Sequence, residues 1–340
     1  MTDTTQNIAA VLGGGSFGTA IASILAANGF DTRLWVRDPE TVAAINQHGE
    51  NPRYLPGQPL PDGVTATDSL EQALAAAELI FVALPSRALA EVLPQASPLV
   101  KEGSLVVSCT KGIHGDGFLL MSELVKQHWP QCRIGVLSGP NLAKEIVEQQ
   151  FTGTVIASED EALCARVQQA LSCGYFRVYA NPDRYGVELA GALKNIYAIA
   201  TGIASALGVG ENSKAFLITR SLAEMSRFAV CLGANPLTFL GLAGVGDLIV
   251  TCSSNLSRNF RVGYAIGQGD SVEQAVAALG QTAEGINTVK LVAEKSRELD
   301  VYMPIAAGLY GILFEQQPMD KTVASLMGGH HTHDVSFTVL

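Results

Sequence analysis

The fold is decided by the stretch NIAAVLGGGSFGTAIASILAANGFDTRLWV, residues 7–36. Residues Ile8–Leu12 are short and apolar, which is typical of a central strand in a parallel sheet. A glycine-rich turn follows, then a helix predicted over Thr19–Asn28, which Gly29 ends. Residues 32–36, TRLWV, form the next predicted strand. This order predicts the first βαβ unit of an α/β fold with a Rossmann-type parallel sheet.

Three glycines in the turn, Gly13, Gly15 and Gly18, have the spacing G-x-G-x-x-G. In such a turn the first glycine permits the tight bend and the second lets the backbone approach a pyrophosphate. The third lets the helix close onto the sheet, and the helix N-terminus presents N–H groups to the phosphates. A turn with only a structural role is the alternative. The strand before it and the helix after it favour dinucleotide binding.

The end of the second strand bears on which dinucleotide is bound. An acid at this position usually binds the ribose 2′-OH of NAD, whereas an arginine accommodates the 2′-phosphate of NADP. Here Arg37 reaches that position and Asp38 follows it. We therefore expect NADP(H) to be preferred, with NAD(H) possible if Asp38 turns inward. A surface arginine that only caps the strand is the structural alternative.

Further apolar strands are predicted within residues 77–86, 103–113, 133–146 and 152–158, and strand residues end near Tyr179. They extend the dinucleotide-binding domain over residues 1–180. Ligands of open α/β sheets bind at the carboxyl ends of the strands. Polar groups follow three of these strands, at residues 85–86, 110–112 and 138–141. Lys111 among them is expected near the nicotinamide, although a loop lysine is often only solvated.

Composition excludes several classes of function. The chain has 340 residues, of which 48% are hydrophobic and 16% charged, so it is globular with a large core. The net charge of −10 disfavours nucleic acid or an anionic membrane as a partner, and no apolar run is long enough to span a bilayer. The six cysteines show no CxxC pair and no Cys/His ligand spacing. We therefore expect no metal site and a reducing, cytoplasmic location. The polar residues before the first strand predict that there is no signal peptide.

The second half is predicted to be an all-helical substrate domain over residues 181–328, followed by a flexible tail at 329–340. Between Leu189 and Gly210 the only charged residue is Lys194. An unpaired buried ammonium is costly, so Lys194 either reaches water or acts on a ligand. Ala190 and Gly191, one turn earlier, would leave room for a substrate against the helix.

Two turns in this half carry polar groups. GLAGVGDLIVTC, residues 241–252, places Asp247 on a glycine-lined bend. SSNLSRNFRVG, residues 253–263, presents Ser257, Arg258 and Asn259 in succession at a predicted helix start. A hydroxyl, a guanidinium and an amide beside unpaired N–H groups suit a phosphate. A capping serine beside an exposed arginine is the alternative.

Taken in this order, these segments resemble the bacterial NAD(P)-dependent glycerol-3-phosphate dehydrogenases. The resemblance covers the chain to about residue 328. The matching segments are GGGSFGTA (13–20), SCTKGI (108–113), SGPNLAKE (138–145), ELAGALKNIYAIATG (188–202), GLAGVGDLIVTC (241–252), SRNFRVG (257–263) and GQTAEG (280–285). It implies reversible, NAD(P)H-dependent reduction of dihydroxyacetone phosphate to sn-glycerol 3-phosphate, for glycerophospholipid synthesis, by a homodimer.

The resemblance also implies roles for the matched residues. Lys194 is the proton acceptor in oxidation and the acid in reduction, and Asp247 lies in the substrate pocket and can orient it. Lys111 contacts substrate and cofactor, and the two lysines are expected to converge on the ketone oxygen. Further substrate contacts are implied for Gly139, Asn141, Ser257, Arg258 and Asn259. Cofactor contacts are implied for Gly13, Gly15, Ser16, Phe17, Gly18, Arg37, Lys111, Ala143, Arg258, Thr282 and Glu284.

The ionisation of Lys194 stays open at this point. A lysine amine acts as a general base only if its pKa falls well below its ordinary value. Apolar surroundings and the like charge of Lys111 would lower the pKa of Lys194, whereas Asp247 would raise it.

Two other functions remain in competition. A related reductase of a β-hydroxy acid or ketopantoate would also use a helix-borne lysine, but it would bind a carboxylate where this chain offers residues 257–259. A non-catalytic NADPH-sensing module would not need Lys111, Lys194 and Asp247 together. The sequence also departs from the family at Asn141, where Ser or Thr is more frequent, and at Phe17, where Tyr is.

Overall fold

The computed structural model describes residues 7–115, 118–280 and 283–328. The chain divides into two compact units, residues 1–191 and 192–340. The predicted boundary between residues 180 and 181 falls just before a long helix, Arg184–Ala206, whereas the division falls within that helix. The predicted tail at 329–340 lies outside the described residues.

The first unit is built on a sheet whose strands closely follow the sequence prediction. The strands are β1 (Ile8–Leu12), β2 (Asp31–Trp35), β3 (Val64–Thr67), β4 (Leu79–Val82), β5 (Leu105–Ser108), β6 (Ile113–His114), β7 (Leu119–Leu120), β8 (Arg133–Ser138), β9 (Thr152–Ala157) and β10 (Phe176–Asn181). Eight of them form one sheet in the order β10-β9-β8-β5-β4-β1-β2-β3, and β6 pairs with β7. The α/β class of the N-terminal domain is confirmed.

The sheet is mostly parallel rather than wholly parallel. β9 runs antiparallel to β8, and β10 runs parallel to β9, so the last two strands are reversed relative to the others. The chain between β8 and β9 contains only a five-residue helix, Ala143–Val147. A parallel return usually crosses the sheet through a full helix, which this connection lacks.

Helices cover both faces of this sheet. They are α1 (Ser16–Ala27), α2 (Pro39–His48), α3 (Leu70–Leu74), α4 (Ser86–Ala96), α5 (Met121–His128), α6 (Ala143–Val147) and α7 (Glu161–Leu171). Ala9 and Val11 of β1 pack into the core beneath α1 and α7, and Ala10 and Leu12 pack into the core beneath α4 and α5. Because β1 is buried on both faces, all of its residues are apolar.

The chain order of the strands reverses at β1, which pairs with β2 on one side and β4 on the other. β4, β5 and β8 run parallel to β1, so their carboxyl ends lie along the same edge. Ligands of doubly wound sheets bind at this edge, beside the point where the strand order reverses. The glycine turn therefore lies at the same edge of the sheet as the polar residues that follow β4, β5 and β8.

The second unit is helical, as predicted. Its helices are α8 (Arg184–Ala206), which begins in the first unit, α9 (Glu211–Cys231), α10 (Asp247–Ser253), α11 (Arg258–Gly267), α12 (Val272–Leu279), α13 (Glu284–Glu298), α14 (Pro304–Phe314) and α15 (Met319–Met327). A 3₁₀ turn, Pro236–Leu240, and a π turn, Leu242–Gly246, precede α10. Among the residues described, no helix is both long and apolar enough to cross a membrane.

Candidate active site

The three glycines after β1 serve different needs. Gly13 has φ +119°, which side chains rarely adopt, and a Cβ there would lie 2.5 Å from the carbonyl oxygen of Ala83. A Cβ at Gly18 would lie 1.9 Å from the carbonyl oxygen of Gly13. No described protein atom lies within 4 Å of a Cβ built at Gly15. The first and third glycines are therefore required by the fold, whereas the second leaves open space beside the start of the helix.

The start of α1 is suited to an anion. Gly15 is its N-cap and brings no capping side chain, so the first N–H groups of the helix are available to a ligand. Ser16 and Phe17 are the first two helical residues. The hydroxyl of Ser16 donates to the carbonyl oxygen of Tyr54 at 3.1 Å, and Phe17 packs half-buried against the core. The helix begins at Ser16 rather than at the predicted Thr19, so the third glycine, Gly18, lies within its first turn.

The two residues after β2 have different orientations. Arg37 is exposed beyond the end of the strand. Asp38 instead caps α2, because its carboxylate accepts from the Thr41 amide at 3.3 Å and from the Thr41 hydroxyl at 2.5 Å. This hydroxyl contact, aided by backbone N–H groups and nearby Arg53, lowers the pKa of the Asp38 carboxyl. The inward turn of Asp38 that would favour NAD is thus opposed by its role as a helix cap.

The carboxyl ends of β5 and β8 bring predicted substrate residues together. Nζ of Lys111 donates to the carbonyl oxygen of Gly139 at 3.0 Å. The amide nitrogen of Asn141 donates to the Thr154 hydroxyl at 2.9 Å, and this hydroxyl donates to the carbonyl oxygen of Ser138 at 2.9 Å. Oδ1 of Asn141 is buried and accepts no hydrogen bond from any of the described residues. An orphaned buried acceptor at this edge is suited to a ligand that can donate a hydrogen bond.

Gly191 was expected to leave room for a substrate against α8, and it does not. A Cβ at Gly191 would lie 2.6 Å from the Ser138 hydroxyl and 3.6 Å from Cγ of Lys111. The space beside this glycine is filled by side chains of the first unit itself. The small residue therefore allows α8 to pack closely on Ser138 and on the stem of Lys111.

In the second unit, Lys194 is buried and paired. Its ammonium donates to Oδ1 of Asp247 and to the hydroxyl of Thr251, the latter at 2.7 Å. Lys194 is 7% exposed and Asp247 is 1% exposed. The lysine therefore does not escape to water, and removing either member of such a buried pair typically costs about 3–5 kcal/mol.

Thr251 was missed by the sequence analysis. It lies four residues after Asp247 in α10, so both side chains point from the same face of that helix. This spacing was the signal that could have found it. Asp247 begins α10 directly after the π turn, where a Cβ at Gly244 would lie 2.3 Å from the carbonyl oxygen of Phe239.

The predicted phosphate residues lie at the start of α11. The Ser257 hydroxyl accepts from the Phe260 amide at 3.2 Å, so this serine is an N-cap. Asn259 is buried, and its Oδ1 accepts from the amide of Gly285 at 3.0 Å. This bond ties the start of α11 to the start of α13. Arg258 is exposed at the first position of its helix.

Two further residues, Ala143 and Thr282, are predicted to contact the cofactor. Ala143 is half-buried at the start of α6. Thr282 lies outside the described residues. Among those described, no cluster of three His, Cys, Asp or Glu side chains is placed to hold a metal ion.

Two buried carboxylates were not predicted, and each caps a helix from a distance. Glu188 accepts from the amide and the hydroxyl of Ser122 at the start of α5, at 2.8 and 2.5 Å. Glu224 accepts from the amides of Ile305 and Ala306 at the start of α14, at 2.9 and 2.8 Å. Burial raises the pKa of each carboxyl to about 7. No local sequence signal marks these contacts, since each joins distant parts of the chain.

The chain is similar to known proteins over nearly its whole length. Residues 8–164 match the family described as NAD-dependent glycerol-3-phosphate dehydrogenase N-terminus, and residues 183–324 match its C-terminus. Glycerol-3-phosphate dehydrogenase (NAD(P)+) of Alcanivorax borkumensis is 69% identical over 329 residues, which cover 97% of this chain and 96% of the relative. The protein of the same name from Pseudomonas paraeruginosa is 59% identical over 334 residues, 98% of each chain.

A solved structure is also similar. The crystal structure of glycerol-3-phosphate dehydrogenase from Coxiella burnetii matches with a TM-score of 0.91 and 37% identity. The match covers 95% of this chain and 99% of that chain.

Proposed function

The chain belongs to the NAD-dependent glycerol-3-phosphate dehydrogenase family, and from this we infer which of its residues carry out the reaction. The protein is an oxidoreductase that uses NAD or NADP. It interconverts dihydroxyacetone phosphate and glycerol 3-phosphate. We propose that reduction is its physiological direction and that NADP(H) is the preferred cofactor.

The cofactor is proposed to bind at the glycine turn of the first unit. Its pyrophosphate would lie over Gly15 and the N-terminus of α1, and Arg37 would bind its 2′-phosphate. The other proposed contacts are Gly13, Ser16, Phe17, Gly18, Lys111, Ala143, Arg258, Thr282 and Glu284. When bound, the nicotinamide supplies or accepts the hydride at the substrate carbon.

The observation that carries the proposed chemistry is the buried ammonium of Lys194, held by Asp247 and Thr251. The carboxylate beside it stabilises the charged form, which is the form that gives a proton to the carbonyl oxygen during reduction. In oxidation the neutral amine takes the proton from the hydroxyl of glycerol 3-phosphate. Thr251 restricts the ammonium to one orientation, because it supplies a second acceptor.

Lys111 is proposed to stabilise the charge that develops on the substrate oxygen. An ammonium has three donors, and the contact with Gly139 fixes the direction of this one. A cation held in place before the reaction stabilises a developing negative charge without reorganising. Gly139 and Asn141 at the same edge are proposed as further substrate contacts.

The substrate phosphate is proposed to bind at the start of α11. Arg258 lies there, Ser257 caps the helix and Asn259 is held in place by Gly285. The helix has ten residues, and its N-terminal N–H groups favour an anion. A dianionic phosphate uses more of these donors than the carboxylate of a β-hydroxy acid or of ketopantoate would.

A direct assay tests this function. Oxidation of NADPH is followed with dihydroxyacetone phosphate or with ketopantoate at equal concentration. We expect turnover with dihydroxyacetone phosphate alone. Turnover with ketopantoate alone would assign the chain to the carboxylate-reducing enzymes. Cofactor binding without turnover of either compound would support the sensing module instead.

We also propose that the enzyme is a cytoplasmic homodimer. In support, Leu237 and Leu240, three residues apart in the 3₁₀ turn, are 70% and 68% exposed, and contact with a second copy of the chain would bury them. The six cysteines carry free thiols, which suits a reducing compartment. Sedimentation of the wild type and of Leu237→Asp tests the dimer, since the charge should shift the protein toward monomers.

A further inference from the structure

Asp38 follows β2, and in this fold the ribose of a bound dinucleotide lies beside the end of that strand. The carboxylate of Asp38 is held toward α2 by the amide and the hydroxyl of Thr41. These bonds favour the ionised form of the carboxylate. A negative charge at this position repels the 2′-phosphate of NADP unless a cation neutralises it.

A second arginine meets that carboxylate. Nη1 of Arg53 lies 3.7 Å from Oδ2 of Asp38, and its guanidinium lies over the ring of Tyr54, with 5.5 Å to the centroid. The side chain of Arg53 is 62% exposed, so it can contact a ligand as well as Asp38. Because of the stacking on Tyr54, less freedom is lost when the guanidinium binds an anion.

The segment that carries Arg53 is tied to the glycine turn. The buried amide of Asn51 donates to the carbonyl oxygen of Gly14 at 2.9 Å and to the Thr19 hydroxyl at 2.9 Å. The Ser16 hydroxyl donates to the carbonyl oxygen of Tyr54 at 3.1 Å. The backbone on both sides of Arg53 is therefore fixed relative to the cofactor-binding turn.

We propose that Arg53 determines cofactor specificity, by neutralising Asp38 and by joining Arg37 in binding the 2′-phosphate of NADP. The proposal rests on the proposed function in that it places the ribose at the end of β2. A guanidinium binds phosphate through two parallel hydrogen bonds, so a second arginine adds both charge and geometry. NAD, which has a hydroxyl at that position, does not need this charge.

The test compares four proteins: the wild type, Arg53→Ala, Arg37→Ala and Arg166→Ala. Arg166 is the matched control, because its guanidinium also stacks on an aromatic ring, that of Phe30 at 5.1 Å, and it bonds Asn7 before β1, at the opposite edge of the sheet. Its loss changes the net charge equally. NADP and NAD binding are measured by calorimetry, and kcat/KM is measured with NADPH and NADH at saturating dihydroxyacetone phosphate.

Arg53→Ala should weaken NADP binding and lower kcat/KM with NADPH by roughly tenfold, and change the NAD and NADH values by less than about twofold. Arg166→Ala should change neither. Equal losses with both cofactors, or no loss with either, would overturn the proposal. A wild type that binds both dinucleotides but does not reduce dihydroxyacetone phosphate contradicts the proposed function and leaves the binding comparison intact.

A second variant keeps the test independent of folding defects. Asp38→Asn retains a good helix cap but removes the carboxylate charge. It should raise the ratio of NADP to NAD affinity, and in the Arg53→Ala background it should restore part of the lost NADP binding. A lower NADP affinity in Asp38→Asn would contradict the role assigned to Arg53.

Discussion

The two units build their binding surfaces from different parts of the chain. In the first unit, the glycine turn offers a ligand backbone groups alone, since Gly13 and Gly18 have no room for a side chain and Gly15 has none. In the second unit, the proposed phosphate site at the start of α11 relies on the side chains of Ser257 and Asn259, which also cap α11 and join it to α13. At the glycine turn no side chain has to serve both binding and structure. At the start of α11 the same side chains would serve both.

Lys111 and Lys194 also differ in whether backbone or side-chain groups orient them. Lys111 is directed by a backbone carbonyl, that of Gly139, whereas Lys194 is directed by the side chains of Asp247 and Thr251. Substitutions in the second unit should therefore affect stability and catalysis together. Substitutions in the first unit can separate them.

The largest effect is expected at Lys194. Lys194→Ala should lower kcat by about a hundredfold or more, because general acid–base catalysis typically contributes that much, while cofactor affinity is retained. The measurements are kcat for dihydroxyacetone phosphate reduction and a fluorescence titration with NADPH.

The alanine variant leaves Asp247 buried without its partner and is also expected to be less stable. Lys194→Gln keeps a donor for Asp247 but cannot transfer a proton, so its kcat should be equally low at a higher melting temperature. Lys214→Ala, at a partly exposed lysine of α9 in the same unit, is the control and should be fully active. A kcat within twofold of the wild type in Lys194→Gln would show that this amine does not transfer the proton.

The next largest effect is expected at Gly15 in the first unit, where a substitution should weaken cofactor binding without changing stability. Gly15→Ala meets no described protein atom within 4 Å, so the melting temperature should not change, but the methyl group enters the proposed pyrophosphate space. We expect the Kd of both NADPH and NADH to rise by roughly tenfold or more.

The matched control is Gly210→Ala. Gly210 is also an extended N-cap glycine, at the start of α9, with no described atom within 4 Å of the added Cβ. It should leave both the melting temperature and cofactor binding unchanged. Unaltered cofactor affinity in Gly15→Ala would remove the distinction between the two units.

Stability should respond to pH in the same way in both units. The pKa values of Glu188 and Glu224 are raised from 4.5 to about 7 in the folded chain, so the folded state holds protons that the unfolded state has lost. The free energy of unfolding should therefore be largest below pH 4.5 as far as these groups are concerned, fall as pH rises to about 7, and level off above it.

Chemical unfolding at several pH values measures this slope. Glu188→Gln and Glu224→Gln should each flatten it, whatever their effect on stability itself. If both variants keep the wild-type slope, neither carboxyl carries the proton that the folded state retains.

The contrast between the units also explains how much the sequence could predict. β1, the glycine turn and the helical second half follow from local patterns, and the structure has them where they were expected. β3 (Val64–Thr67) and the β6–β7 hairpin are too short and too weakly apolar to give such a pattern. The reversed direction of β9 depends on the connection before it and on its pairing with β8. No local pattern predicts that pairing.

The same limit applies to the site. Lys194, Asp247 and Ser257 were identified because they interrupt or border apolar helices. The contacts of Thr251 with Lys194 and of Arg53 with Asp38 join residues that are far apart in the sequence, and no local pattern marks them. Sequence patterns indicate which residue types are present, but long-range packing decides which partner each side chain has.

The smallest predicted effect tests whether a helix cap also binds substrate. Ser257→Ala removes the cap of α11 and should cost about 1 kcal/mol of stability. Ser271→Ala removes the corresponding cap of α12, where the hydroxyl accepts from the Gln274 amide at 3.2 Å, and should cost a similar amount. If Ser257 also binds the substrate phosphate, only Ser257→Ala should raise KM for dihydroxyacetone phosphate, by roughly fivefold, a typical cost of one lost hydrogen bond. Equal melting temperatures with equal KM values would make Ser257 a helix cap and nothing more, and would leave the phosphate to Arg258 and the N–H groups of the helix.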